Sequence, residues 1–142
     1  MHFFDEETIV AKSPDGLWQG TVSPEWNIGD NPNGGYLLSL ITSAFSREVS
    51  HPDPISITTH YLRPGLPDTE FQIKVDVLRV GRTLTNARAT LIQEGKSRLE
   101  VTAVYGDLSE SVGVKNTISK PPPSIPPEAQ CVDRSGDLQI GR

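Results

Sequence analysis

Residues 35–48, GYLLSLITSAFSRE, constrain what this chain can fold into more than any other stretch. Leu37, Leu38, Leu40, Ile41, Ala44 and Phe45 fall at helical spacing and cover most of a helix circumference. Only Ser39, Thr42, Ser43 and Ser46 interrupt them, and all are small. A helix apolar on nearly every side has to be buried. With 142 residues the chain has room for one domain and one modest core, so this helix belongs at its centre. Gly34 and Gly35 stand directly before it, although glycine costs a helix about 1 kcal/mol relative to alanine. Something is gained there from having no side chain. Two readings are open: a ligand lies against bare backbone, or the glycines complete an Asn-Pro-Asn-Gly turn with Asn33 as N-cap.

The remaining patterned segments read as strands. Thr8–Lys12 and Leu17–Val22 flank the turn Ser13-Pro14-Asp15-Gly16. After the helix, the sequence SHPDP stops it and ISITTHYL follows. In EFQIKVDVLRV, Phe71, Ile73, Val75 and Val77 alternate with Gln72, Lys74 and Asp76, the period of a strand with one buried face. TLTNARATLIQ and SRLEVTAVY complete the set, with turns at VGR and QEGKS. The expectation is an α+β fold in which an antiparallel sheet wraps around one long central helix. Residues 1–108 form this domain. Residues 109–142, rich in proline and without period, read as a linker or tail.

Composition narrows the function. The net charge is -5, and no basic patch suits nucleic acid. No apolar run approaches the roughly 18 residues of a membrane span. The opening MHFFDEETIV lacks the basic and apolar regions of a signal peptide. A single cysteine, Cys131, rules out an internal disulfide and fits a cytoplasmic protein. His2, His51 and His60 are scattered without metal-ligand spacing, so no metal and no cofactor are expected.

The strings NPNGGYLLSL, HPDPISITTHYLRPG, VLRVGRTLTNARATLIQEG and LEVTAVYGDL resemble, in order and spacing, the first half of the double-hotdog acyl-CoA thioesterases, the acyl-CoA thioesterase II or TesB-like group. The resemblance runs from about Trp18 to Leu108 and implies a hotdog fold. It implies hydrolysis of fatty acyl-CoA to free acid and coenzyme A, hence a place in lipid metabolism. By the same resemblance, the proline-rich tail sits where the family joins its two hotdogs. A second hotdog or a homo-oligomer, such as a dimer, is then the expected partner, and neither nucleic acid nor membrane is.

In that family the glycines at the start of the helix let a thioester lie on the backbone, where first-turn N–H groups stabilise the developing oxyanion. This puts Gly35 and Asn33 in the catalytic set and Gly34 in the substrate-binding set. Gly81, Arg82 and Thr83 are the second substrate-binding group. Arg79, Arg82 and Arg88 offer charge for coenzyme A phosphates, the alternative being solvated arginines on a hairpin turn. Single hotdogs often carry an acid two turns into the helix, and that place holds Thr42, the third residue of the catalytic set, which is not a carboxylate. The catalytic Asp, Thr and Gln of the double-hotdog family's second repeat map near Thr42, Pro54, and Tyr105 or Gly106, and none is matched. Two functions are therefore expected in competition. One is a thioesterase domain active in a paired-hotdog assembly. The other is a non-catalytic half that binds acyl-CoA or completes the pair.

Overall fold

The expected helix forms as α2, Gly34–Glu48, in a computed structural model that describes residues 2–110, 113 and 119–131. It is preceded by α1 (Phe3–Glu7), β1 (Ala11–Lys12), β2 (Trp18–Thr21), β3 (Asn27–Ile28) and β4 (Asn31–Pro32). It is followed by β5 (Asp53–Tyr61), β6 (Glu70–Val80), β7 (Thr85–Gln93) and β8 (Lys96–Gly106). One six-stranded sheet has the order β1-β2-β6-β7-β8-β5 with every pair antiparallel, and β3 and β4 pair separately.

The alternation of the strands explains why the sheet wraps the helix. Three rows of side chains cross its inner face. Trp18, Ile73, Leu91, Leu99 and Tyr61 form the first, and Val75, Ala89, Val101 and Thr59 the second. Val77, Ala87, Ala103 and Ile57 form the third. The alanines make room for α2, which lies mainly over β6 and β7. Leu37, Leu40, Ile41, Ala44 and Phe45 of α2 are fully buried against these rows, as expected. Burying the four large ones is worth about 6–12 kcal/mol before conformational entropy is counted. The outer face is polar: Lys74 and Arg88 both pair with Asp76, and Thr90 donates to Glu100.

Three details depart from the sequence reading. The first hairpin is shorter than expected, with only Ala11–Lys12 paired to β2. The Pro/Asn-rich loop contains the β3–β4 ladder. The N-terminus folds as α1, capped reciprocally by His2 and Asp5. Phe3 and Phe4 pack on Trp26, which stacks on Tyr36. The tail expected over 109–142 lies outside the described residues at 111, 112, 114–118 and 132–142, and residues 119–127 are exposed without regular structure.

Candidate functional site

The two glycines sit in different surroundings. Asn33 is the N-cap of α2: its Oδ1 accepts from the Gly35 N–H at 2.7 Å and from the Tyr36 N–H at 3.4 Å, and its carbonyl accepts from Leu37. This cap satisfies donors that a helix start otherwise leaves orphaned. The Gly34 N–H makes no hydrogen bond to another described residue. A side chain on Gly35 would meet only Asn33 Oδ1, at 3.1 Å. A side chain on Gly34 would meet the Tyr61 ring, with Cε1 at 2.9 Å and Cζ at 3.2 Å. Tyr61 lies across the Gly34 backbone and donates its hydroxyl to the Gly34 carbonyl at 3.0 Å.

Tyr61 ends β5, and the loop that follows is anchored from beneath. Leu62 and Arg63 donate their N–H groups to the Arg98 carbonyl. Arg98, buried at 7 % exposure, donates through its side chain to the Pro64 carbonyl at 3.2 Å. Gln93, fully buried, donates to the Leu66 and Thr69 carbonyls and accepts from the Leu66 N–H. Gly65 packs on Leu37, leaving no space for a methyl group. By sequence Gln93 reads as part of a turn. Its side chain instead faces inward, two residues beyond Leu91 on the same alternation.

Thr42 lies two turns along α2 on its half-exposed stripe with Gly35, Leu38 and Ser39. Its hydroxyl donates to the Ser39 carbonyl at 3.0 Å, and the Ser39 hydroxyl donates to the Gly35 carbonyl. The only carboxylate on α2 is Glu48 at the far end, which accepts from Lys12 and Trp18. In the sheet β5 is an edge strand, and α2 lies mainly over β6 and β7. Leu38 and Thr42 of α2 and Ile57 and Thr59 of β5 are half-exposed, and Tyr61, at the end of β5, lies at the Gly34 end of the helix.

Gly81, Arg82 and Thr83 form a turn closed by the Gly81 N–H on the Leu84 carbonyl. This turn sits at the other end of the helix. The His51 ring, just beyond α2, lies within hydrogen-bonding distance of the Thr85 hydroxyl through Nδ1 and of the Arg82 carbonyl through Nε2. A 15-residue helix is about 22 Å long, so the chain by itself does not bring the glycine pair and this turn together. Arg88 is engaged by Asp76 on the outer face, and the guanidinium holds that carboxyl below its ordinary range. Burial pushes the Tyr36 and Tyr105 phenols up, so both stay protonated at neutral pH. Tyr36 uses its hydroxyl to accept from Ser23 and donate to the Glu7 carbonyl, bracing the first turn.

Two grooves among the described residues, of about 590 and 300 Å³, open on the outer face of the sheet, away from α2. Among the same residues no helix is long and apolar enough to cross a membrane. No group of three or more His, Cys, Asp or Glu there is arranged to hold a metal ion.

A family model described as the acyl-CoA thioesterase N-terminal domain matches residues 22–106. Among solved structures, a candidate thioesterase II from Thermobifida fusca is 32 % identical with a TM-score of 0.82, the match covering 94 % of this chain and 50 % of that one. A hot dog fold protein of unknown function from Alicyclobacillus acidocaldarius is 25 % identical, with a TM-score of 0.71 over 91 % of this chain and 47 % of that one. The tesB protein of Mycobacterium avium subspecies paratuberculosis shares the fold at 22 % identity and a TM-score of 0.70, over 89 % and 48 %. The chain thus spans about half the length of each of these structures. No curated protein matches it. The sheet curled around α2, the family match and the thioesterase II likeness agree: this chain belongs to the acyl-CoA thioesterase family, as a hotdog corresponding to its N-terminal domain.

Proposed function

We propose that this domain binds acyl-CoA across the first turn of α2 and takes part in its hydrolysis to free acid and coenzyme A when paired with a second hotdog. The observation that carries the reading is the unclaimed Gly34 N–H at the start of a helix in this family. A helix N-terminus favours negative charge, and a donor there is suited to the oxyanion that forms when water attacks a thioester. Asn33 holds the neighbouring Gly35 N–H and fixes the turn. Thr42 can orient water from two turns away but cannot take its proton.

Pairing is supported by the edge strand. Among the described residues β5 has a partner only on its β8 side, and an exposed edge invites another strand. Antiparallel addition of a second hotdog, or a second copy, would bring the partner's turn equivalent to Gly81–Thr83 towards the Gly34 end. Coenzyme A would then meet Arg82-type charge from one domain and the helix start of the other. A cytoplasmic place in fatty acyl metabolism belongs to the same reading.

The second reading, a non-catalytic half, is favoured by one specific observation: the open stripe of α2 carries no carboxylate. One assay separates the two. Coenzyme A release is followed over a panel of acyl-CoA substrates for the wild type, Thr42→Asp and Gly35→Val. Slow wild-type turnover, at least tenfold faster in Thr42→Asp, is expected, since a general base contributes about 10²–10⁴-fold. Brisk wild-type turnover would refute the missing base. Unchanged binding and turnover in Gly35→Val would remove the glycine turn from the site.

A further inference from the structure

We propose that Tyr61 is a specificity residue of this site, a fixed wall that admits straight acyl chains and refuses those branched next to the thioester. The inference rests on acyl-CoA binding at the first turn of α2. It starts from the reason for Gly34. The Tyr61 ring occupies the space that any side chain at position 34 would need, with three ring-side atoms within 3.3 Å of that place. Glycine there makes room for the ring as well as for any ligand. A thioester oxygen on the Gly34 N–H would therefore have the aromatic edge beside it.

Tyr61 is also held in place. Its hydroxyl donates to the Gly34 carbonyl at one end. At the other, the next residue is bonded through its N–H to the Arg98 carbonyl, and the loop beyond hangs on buried Gln93 and Arg98. A ring fixed from both sides selects by shape rather than yielding to the ligand. Yet it is 53 % exposed, so it is free to touch a bound group.

The acyl arm, rather than coenzyme A, is the part that meets the ring. Thr59 and Ile57 continue the face of β5 that carries Tyr61, and with Leu38 and Thr42 of α2 they offer a half-buried, uncharged set of side chains. The charged phosphates of coenzyme A gain no cation from these side chains. An acyl chain that leaves a thioester at the Gly34 N–H towards these residues passes the ring at its first carbons, where a branch would collide. One methylene misplaced in an apolar pocket changes affinity by roughly 10–200-fold.

The test is calorimetric titration of the full chain with butyryl-CoA, isobutyryl-CoA and coenzyme A alone, for the wild type, Tyr61→Phe and Tyr61→Ala. Thermal melts confirm that each variant is folded. The wild type should prefer butyryl-CoA over isobutyryl-CoA by about tenfold or more. Tyr61→Phe keeps the ring and should keep that ratio within about twofold, whereas Tyr61→Ala should bring it close to one. Binding with the same ratio in Tyr61→Ala would overturn the role of Tyr61 and leave the acyl-CoA site standing. A wild type that binds neither acyl-CoA better than coenzyme A alone would overturn the site and this inference together.

Discussion

Replacing Gln93 by leucine tests whether the loop over the helix start is held by that one side chain. Gln93 makes three hydrogen bonds, two to carbonyls of Leu66 and Thr69 and one from the Leu66 N–H, at 2.9–3.2 Å. Leucine has nearly the same volume and is welcome in the apolar row beyond Leu91, so packing changes little. The loss is polar. At about 1 kcal/mol net for each bond, Gln93→Leu should cost about 3 kcal/mol. The loop is partly exposed, so water can reach the freed groups, and the full penalty of burying them unpaired does not apply. For a domain of this size the melting temperature should fall by roughly 12–24 °C. Urea titration should show a lower midpoint with unchanged slope, as for a native-state loss. Hydrogen exchange at the Leu66 amide should speed up more than at Leu91 in the sheet. A loss below about 1 kcal/mol with Leu66 still protected would refute the anchoring.

Gly65→Ala places a methyl 2.7 Å from Leu37 Cδ1, and Leu37 is fully buried, so overpacking should cost about 1–3 kcal/mol in a thermal melt. A wild-type melting temperature would show that the loop stands clear of the helix. Asp76 has its carboxyl held down by Arg88 first and Lys74 second. Its unfolded form takes up a proton near pH 4, before the folded form does, so its contribution is present above about pH 4 and lost as pH falls through the folded value. The stability gap between wild type and Asp76→Asn should therefore be largest at neutral pH and close on acidification; a gap independent of pH would sink the ion-pair account.

The helix and the four long strands were legible because burial dictates them. α2 had no solvent face large enough to be anything but central, and Phe71–Val77 showed a clean period of two. The short elements were not. α1 is five residues long and depends on Phe3 and Phe4 meeting Trp26, a contact that no local pattern announces. The candidate site was legible in part. Asn33, Gly34, Gly35 and Thr42 do share the open side and start of α2, while Gly81–Thr83 lie beyond its other end, because strand order is set by pairing between distant segments. Tyr61 is not legible in the sequence for the same reason. Its alternation with Ile57 and Thr59 could be read, but the glycine beneath it lies far away in the chain.

The order of the strands also sets the order of events in folding. β6, β7 and β8 are neighbours in both chain and sheet, joined by short turns, so their pairing closes small loops. β2 reaches β6, and β5 reaches β8, across separations of about 50 residues, and each must wait for a costlier closure. The β6–β8 meander is therefore the expected nucleus. Changes at the Glu94-Gly95 turn should slow folding, whereas changes in β5 should mainly hasten unfolding. The strand left without a neighbour on one side is then also among the last to be secured and the first to let go.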